Sequence, residues 1–242
     1  HLAMVRNSGI ITTYVDGVPG TSTINGTGVS LGFSDKINYI GVQASNLQGE
    51  AAGLMYDIRV VKGTAVYTGT FTPPSGKLTT TGGTYSSTTN VNTSITAGHT
   101  VFLTQPYKEE TVNNTTPRYT RDETGKIQIF ERLRAGTSGS LPMLADMSPY
   151  ADNSVKSLYF DGYNNVAYKE YSLTDFQPGT GAFTFECWLY LDNVSNNDYH
   201  TIFDNRDVSS TDTDSFFFGL RGSVSPAGLL YFYSGGNYLF GS

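Results

Sequence analysis

The sequence predicts an all-β protein, on three observations. Glycine supplies 27 residues and aromatics 13% of the chain, beside abundant Ser, Thr and Asn, a composition suited to many short strands joined by tight turns. β-rich runs are punctuated by turn pairs such as Asp16-Gly17 and Asp161-Gly162, where Gly and Asp accept the positive φ that a tight hairpin needs. No segment carries a helical period over ten residues.

Taken in order, His1–Val5 and Ile10–Val15 read as two strands separated by Arg6-Asn7-Ser8-Gly9, with Asp16-Gly17 closing the second in a type I′ turn. Ser30–Phe33, Tyr39–Val42 and Leu54–Val61 continue the pattern. In the last of these Leu54, Tyr56, Ile58 and Val60 alternate with Met55, Asp57, Arg59 and Val61, and the first set is the better core face. Pro73-Pro74 cannot donate to a sheet ladder and closes this block, leaving Ser75–Gly98 as a Ser/Thr/Gly/Asn linker with little to bury. Thr100–Leu103 reads as a short strand. Residues Tyr107–Arg134 then hold 11 of the 36 charged residues, six basic and five acidic, and read as a solvated excursion with a strand at Lys126–Phe130 or as a contact surface for a neighbouring subunit. Leu158–Phe160 leads into Asp161-Gly162. Phe183, Phe185, Cys187 and Leu189 alternate with Thr184, Glu186, Trp188 and Tyr190, the signature of a two-faced strand, and Thr201–Asp204, Phe216–Leu220 and Leu229–Tyr233 add three more.

Composition narrows the function classes. Fifteen basic against 21 acidic residues give a net charge of −6, which argues against a nucleic-acid partner because the phosphate backbone attracts basic stripes. A lone cysteine, Cys187, excludes an internal disulfide framework and reads as a small buried hydrophobe. No apolar run reaches the roughly 18 residues of a membrane-spanning helix, so no membrane insertion is expected.

Two blocks carry a family resemblance. Tyr159–Gly162 (YFDG) and Gly179–Tyr190 (GTGAFTFECWLY) form one, and His1–Arg6, Tyr14–Gly17 and Gly53–Pro74, ending KGTAVYTGTFTPP, form the other. Together they resemble laminin-G-like domains of the concanavalin A-like superfamily, in the tandem form of phage, virion and large bacterial surface proteins. The resemblance implies a jelly-roll β-sandwich. In that family the block at 159–190 precedes the block at 1–74, whereas here the order is reversed. The expected organisation is therefore residues 1–80 as a C-terminal half-sandwich, 81–150 as linker, edge strand and charged excursion, and 151–242 as an N-terminal half. An excerpt or repeating unit of a tandem array is preferred over a single permuted domain, and neighbouring copies or adjacent domains of the same protein are the expected partners.

The site chemistry follows from what is present. Related glycoside hydrolases of this superfamily alternate two glutamates and an aspartate on one strand, and no such cluster exists here; Glu186 is the only acid in its strand, and no enzyme is expected. His1, His99 and His200 show no metal-ligand spacing. Ca²⁺ is the candidate ion, because Asp204, Asp207, Asp212 and Asp214 form the densest acidic loop region, with Asn205 as a further oxygen ligand; no cofactor is required. Sugar binding needs an aromatic platform and directed hydrogen bonds, and Tyr163, Asn164, Asn165, Tyr199, Asn237 and Tyr238 have that chemistry in expected loops. Trp188 and Tyr190 share a strand face that either lines a concave sheet or packs under a second layer. The functional expectation is a non-catalytic adhesion or structural module on a virion surface or extracellular assembly, recognising cell-surface glycans. A polysaccharide-degrading enzyme of the same superfamily and a purely architectural filament or decoration protein are the alternatives.

Overall fold

The computed structural model describes residues 1–31, 38–43, 49, 51–86, 89–105, 143–145, 147–150, 157–162, 167–169, 178–192, 199–206, 216–222, 229–234 and 237–241. Every regular element among them is a strand, and all pairings are antiparallel. The larger sheet runs β3 (Val18–Asn25), β2 (Ile10–Val15), β1 (Leu2–Asn7), β12 (Phe183–Leu191), β5 (Ala52–Lys62), β10 (Ser157–Asp161) and β9 (Met143–Ala145), with β8 (Thr100–Thr104) also paired to β5. The second sheet runs β11 (Ala167–Lys169), β4 (Asn38–Ile40), β13 (Tyr199–Asp204), β14 (Phe216–Arg221), β15 (Leu229–Ser234) and β16 (Asn237–Gly241). A two-stranded ribbon, β6 (Gly76–Thr79) and β7 (Gly82–Thr84), completes the described strands.

Local sequence explains the first hairpins. Ser8-Gly9 and Asp16-Gly17 both adopt positive φ, 48° and 82° in the first pair and 48° and 79° in the second, the conformation of a type I′ turn. Gly17 has a second constraint, because a Cβ there would lie 1.9 Å from the Phe71 carbonyl oxygen. The turn and the returning 71–73 segment therefore require glycine jointly.

The inner faces of the two sheets meet across one apolar core, a sandwich-like arrangement. Met4, Met55, Ile58, Phe160, Phe185 and Cys187 come from the larger sheet and Ile202, Phe203, Phe216, Phe218, Leu230 and Phe232 from the smaller. Phe185 meets the rings of Phe203 and Phe218 at centroid distances of 5.3 and 5.4 Å, which ties the sheets together. Strands from the two terminal blocks interleave within one molecule: β1 and β5 flank β12, and β5 also pairs with β10.

A third layer covers part of the larger sheet's outer face. Ala65, Val66, Tyr67, Phe71, Val91 and Ile95 pack on Ala3, Val5, Tyr14 and Val61. The Ser75–Gly98 segment, expected to have little to bury, thus contributes Val91 and Ile95, and Leu78 is buried as well. The expected strand at Lys126–Phe130 lies outside the described residues. No described helix is long and apolar enough to cross a membrane.

The alternation expected along β5 is broken at Asp57. Opposite Cys187 of β12, strand β5 places two residues, Asp57 and Ile58, so the pairing passes from Trp188↔Tyr56 to Glu186↔Arg59 through a bulge. Asp57 takes φ +48°, a left-handed conformation that Asp tolerates better than most side chains. The extra residue inverts the parity. Met55, Ile58 and Val60 enter the inter-sheet core, while Leu54, Tyr56, Arg59 and Val61 face outward.

Candidate functional site

The outer face of β12 has two halves with different fates. Thr184 and Glu186 lie under the third layer, where the Thr184 hydroxyl accepts from the Val66 amide at 2.8 Å. Trp188 and Tyr190, further along the same face, are left open: Trp188 is half-buried and Tyr190 is 60% exposed. The third layer therefore stops short of Trp188 and Tyr190 and covers Thr184 and Glu186 instead.

Under the layer sits a buried polar cluster. Glu186 is fully buried and its Oε1 accepts from Arg59 Nε at 2.8 Å and Nη2 at 2.5 Å. Its Oε2 accepts from the Tyr67 hydroxyl and lies 3.2 Å from His1 Nε2. The remaining guanidinium donors of Arg59 reach the carbonyls of Thr79 and Gly82 and the Tyr85 hydroxyl. Burial alone would lower the Arg59 pKa, but the adjacent Glu186 carboxylate raises it above the ordinary arginine value, so the guanidinium stays charged. Burial, then the Glu186 charge, pushes the Tyr67 hydroxyl well up, keeping it a neutral donor. Glu186 and Arg59 spend their hydrogen-bonding groups within this cluster, the arrangement of a buried structural ion pair, while the His1 Nδ1 stays without a partner among the described residues.

Beside it, the Asp57 bulge holds a second buried carboxylate. The Leu78 amide and the Tyr150 hydroxyl donate to its Oδ2 and the Gln105 side-chain amide to its Oδ1. Desolvation outweighs these donors and the nearby Arg59 charge, raising the Asp57 pKa from 3.8 to about 6. Burial and the neighbouring Asp57 carboxylate in turn push the Tyr150 hydroxyl well above its ordinary value. Tyr150 also packs edge-on against Tyr56 at 5.6 Å and against Trp188 at 5.8 Å.

Those aromatic rings back a cleft of about 310 Å³. Leu54, Tyr56, Trp188, Leu189 and Tyr190 form one wall, and Met147 and Pro149 another. Its polar lining comes from His1, Asp16, Ser148 and Ser157. Strand geometry sets this arrangement: Gly53 lets β5 approach β12 closely, since at φ +146° a Cβ would stand 2.0 Å from the Tyr190 carbonyl oxygen. Tyr190↔Leu54 and Trp188↔Tyr56 are direct cross-strand pairs, so four outward side chains form a contiguous patch.

The glycan candidates read from loops fall elsewhere. Tyr199 lies in β13 of the smaller sheet, its ring 5.7 Å from Phe217 and 5.5 Å from Tyr231, with the Arg221 guanidinium 5.7 Å from its centroid. Asn237 and Tyr238 belong to β16, paired with Ser234 and Tyr233 of β15, rather than to a loop. Tyr163, Asn164 and Asn165 lie outside the described residues, as do Asp207, Asp212 and Asp214 of the Ca²⁺ set. Asp204 is buried at the end of β13, and both of its carboxylate oxygens accept from Arg206, at 2.9 and 2.8 Å. Asn205 accepts from the Phe216 amide at 2.8 Å. Among the described residues no group of three or more His, Cys, Asp or Glu side chains could hold a metal ion.

The cleft itself was only half legible. Trp188 and Tyr190 stood out as a shared strand face, but their partners Leu54 and Tyr56 were assigned to the core by an alternation that the Asp57 bulge breaks. Fold and site together define the class: an all-β protein of antiparallel sheets, sandwich-like, with an aromatic cleft on an outer sheet face. No protein-family profile, curated protein or solved structure matches the chain.

Proposed function

We propose that the protein is a non-catalytic adhesion or structural module of a virion appendage or extracellular assembly, and that it recognises surface glycans through the Trp188–Tyr190 cleft. The observation that carries this reading is the cleft's lining. Two adjacent aromatic side chains, one of them 60% exposed, offer apolar faces beside polar groups, the combination that a pyranose with an apolar face and a hydroxyl rim requires. The motif stretches that resemble laminin-G-like domains support a jelly-roll form for the sandwich and neighbouring copies of the chain as partners.

Glycoside hydrolysis is the competing reading, and the geometry favours it less. That reaction needs two carboxyl groups flanking the scissile bond. Asp16 is the one carboxylate among the described lining residues, while Glu186, behind His1, and Asp57 are buried, engaged in hydrogen bonds and not part of the lining. Incubating the purified chain with bacterial and animal cell-surface polysaccharides separates the readings. Retention on the polysaccharide without release of reducing ends is expected. Release of oligosaccharides that tracks the chain through successive purification steps would refute the non-catalytic reading.

A further inference from the structure

Resting on the glycan-recognition reading, we infer that the cleft selects uncharged oligosaccharides, stacking one pyranose face on Trp188 and Tyr190 and rejecting uronic-acid and sulfated glycans. The selectivity follows from charge. Recognition of a sugar carboxylate or sulfate calls for Arg or Lys in fork or point-charge geometry, and no Arg or Lys lines the cleft among the described residues. The carboxylate in that described lining is Asp16, and no Arg or Lys side chain stands against it. Asp16 keeps 70% of its side chain exposed, so an approaching anion meets a carboxylate at the cleft. The chain as a whole carries −6, which adds a weak long-range term of the same sign.

The described arginines lie away from the cleft, Arg221 over the Tyr199 ring of the smaller sheet. Arg59 is consumed by Glu186, and Arg6 by the carbonyls of Gly181, Val29 and Gly179. Arg206 is held by Asp204 and stacks over Phe217 at 4.6 Å on the other sheet. Leu54, Met147 and Pro149 present hydrocarbon to the ligand, which suits a deoxy or N-acetyl methyl group better than an ionised substituent whose desolvation nothing repays. A neutral hexose or N-acetylhexosamine chain is the ligand class that leaves no buried charge unpaired.

Trp188 is the chain's one tryptophan, so its emission reports on this cleft alone. The intact chain is titrated with neutral tetrasaccharides (gluco-, galacto-, manno- and N-acetylglucosamine series) and with matched polyuronic and sulfated tetrasaccharides, by fluorescence and by calorimetry. At least one neutral series is expected to bind saturably with a shift in Trp188 emission, and the acidic series to leave the emission unchanged. Tyr190→Ala, at an exposed position where folding is preserved, is expected to weaken the neutral ligand about tenfold, the effect of losing one stacked ring. Acidic ligands that shift Trp188 as strongly as neutral ones would overturn the selectivity while leaving glycan recognition standing. Neutral binding heat with unchanged Trp188 emission and no effect of Tyr190→Ala would place the site elsewhere and overturn the inference. Silence of every ligand, neutral and acidic, would instead sink glycan recognition itself.

Discussion

Replacing Asp57 with Asn should flatten the pH dependence of stability between pH 4 and 7. The Asp57 carboxyl titrates at about 6 in the folded chain against 3.8 for the unconstrained group, because it is desolvated inside the larger sheet. With the folded value above the unfolded one, the native state binds the extra proton. The associated stability is fully present below pH 3.8 and is lost as the pH rises through 6. The gap of two units corresponds to about 3 kcal/mol, which the wild type forfeits between the two limits and an Asn at the same position does not. Asn also tolerates the left-handed backbone, so the substitution adds little strain. Urea unfolding followed by Trp188 emission at pH 4, 5, 6, 7 and 8 measures the difference. The other titrating groups are common to both proteins, and only the change in the wild-type minus variant difference is read. Parallel profiles for the two proteins would refute the argument that desolvation overrides the three hydrogen-bond donors. A wild type that instead gained stability relative to the variant as the pH rose would show that those donors win.

Two further perturbations probe the same region. Glu186→Gln leaves the fully buried Arg59 guanidinium without its carboxylate and is expected to destabilise by about 3–5 kcal/mol, whereas the double change Glu186→Gln with Arg59→Met should recover part of that loss; urea midpoints of the four proteins in the cycle give the result. Cys187 is fully buried and desolvation raises its thiol to about 12, so a thiol reagent at pH 8 should label it only at the rate of unfolding, measured by labelling kinetics with and without denaturant.

The parts of this fold that local chemistry controls were legible before the structure. Asp16-Gly17 requires positive φ at both residues, and the strand it closes, Ile10–Val15, falls where the β-branched run ends. Alternation along Phe183–Leu189 was legible for the same reason: Phe183, Phe185 and Cys187 all face the inter-sheet core. Strand β3 was not, because VPGTSTIN lies at the sheet's edge with mostly exposed residues and packs only Ile24 against the core. The third layer was hidden for a different reason. Tyr67, Phe71, Val91 and Ile95 are buried from irregular backbone, so no period marks them, and a polar composition around Val91 and Ile95 reads as linker. The ion pair between Arg59 and Glu186 spans 127 residues of sequence and leaves no spacing signal at all.

The Asp57 bulge connects these partial readings. Strict alternation through β5 would set Leu54, Tyr56, Ile58 and Val60 on one face, and Arg59 on the other. With Leu54 and Tyr56 facing the cleft, Ile58 and Val60 would then leave the inter-sheet core, and the guanidinium of Arg59 would enter it, out of reach of Glu186. One extra residue removes all three conflicts. It lets Met55, Ile58 and Val60 fill the core while Tyr56 and Arg59 both face outward, the first toward the cleft and the second toward Glu186. The carboxylate at the bulge is then enclosed by Leu78, Gln105 and Tyr150, and Tyr150 packs against both Tyr56 and Trp188. The aromatic wall of the cleft and the buried ion pair thus depend on the same local break in the strand, which is why a site built on regular sheet geometry could not be placed by regular alternation.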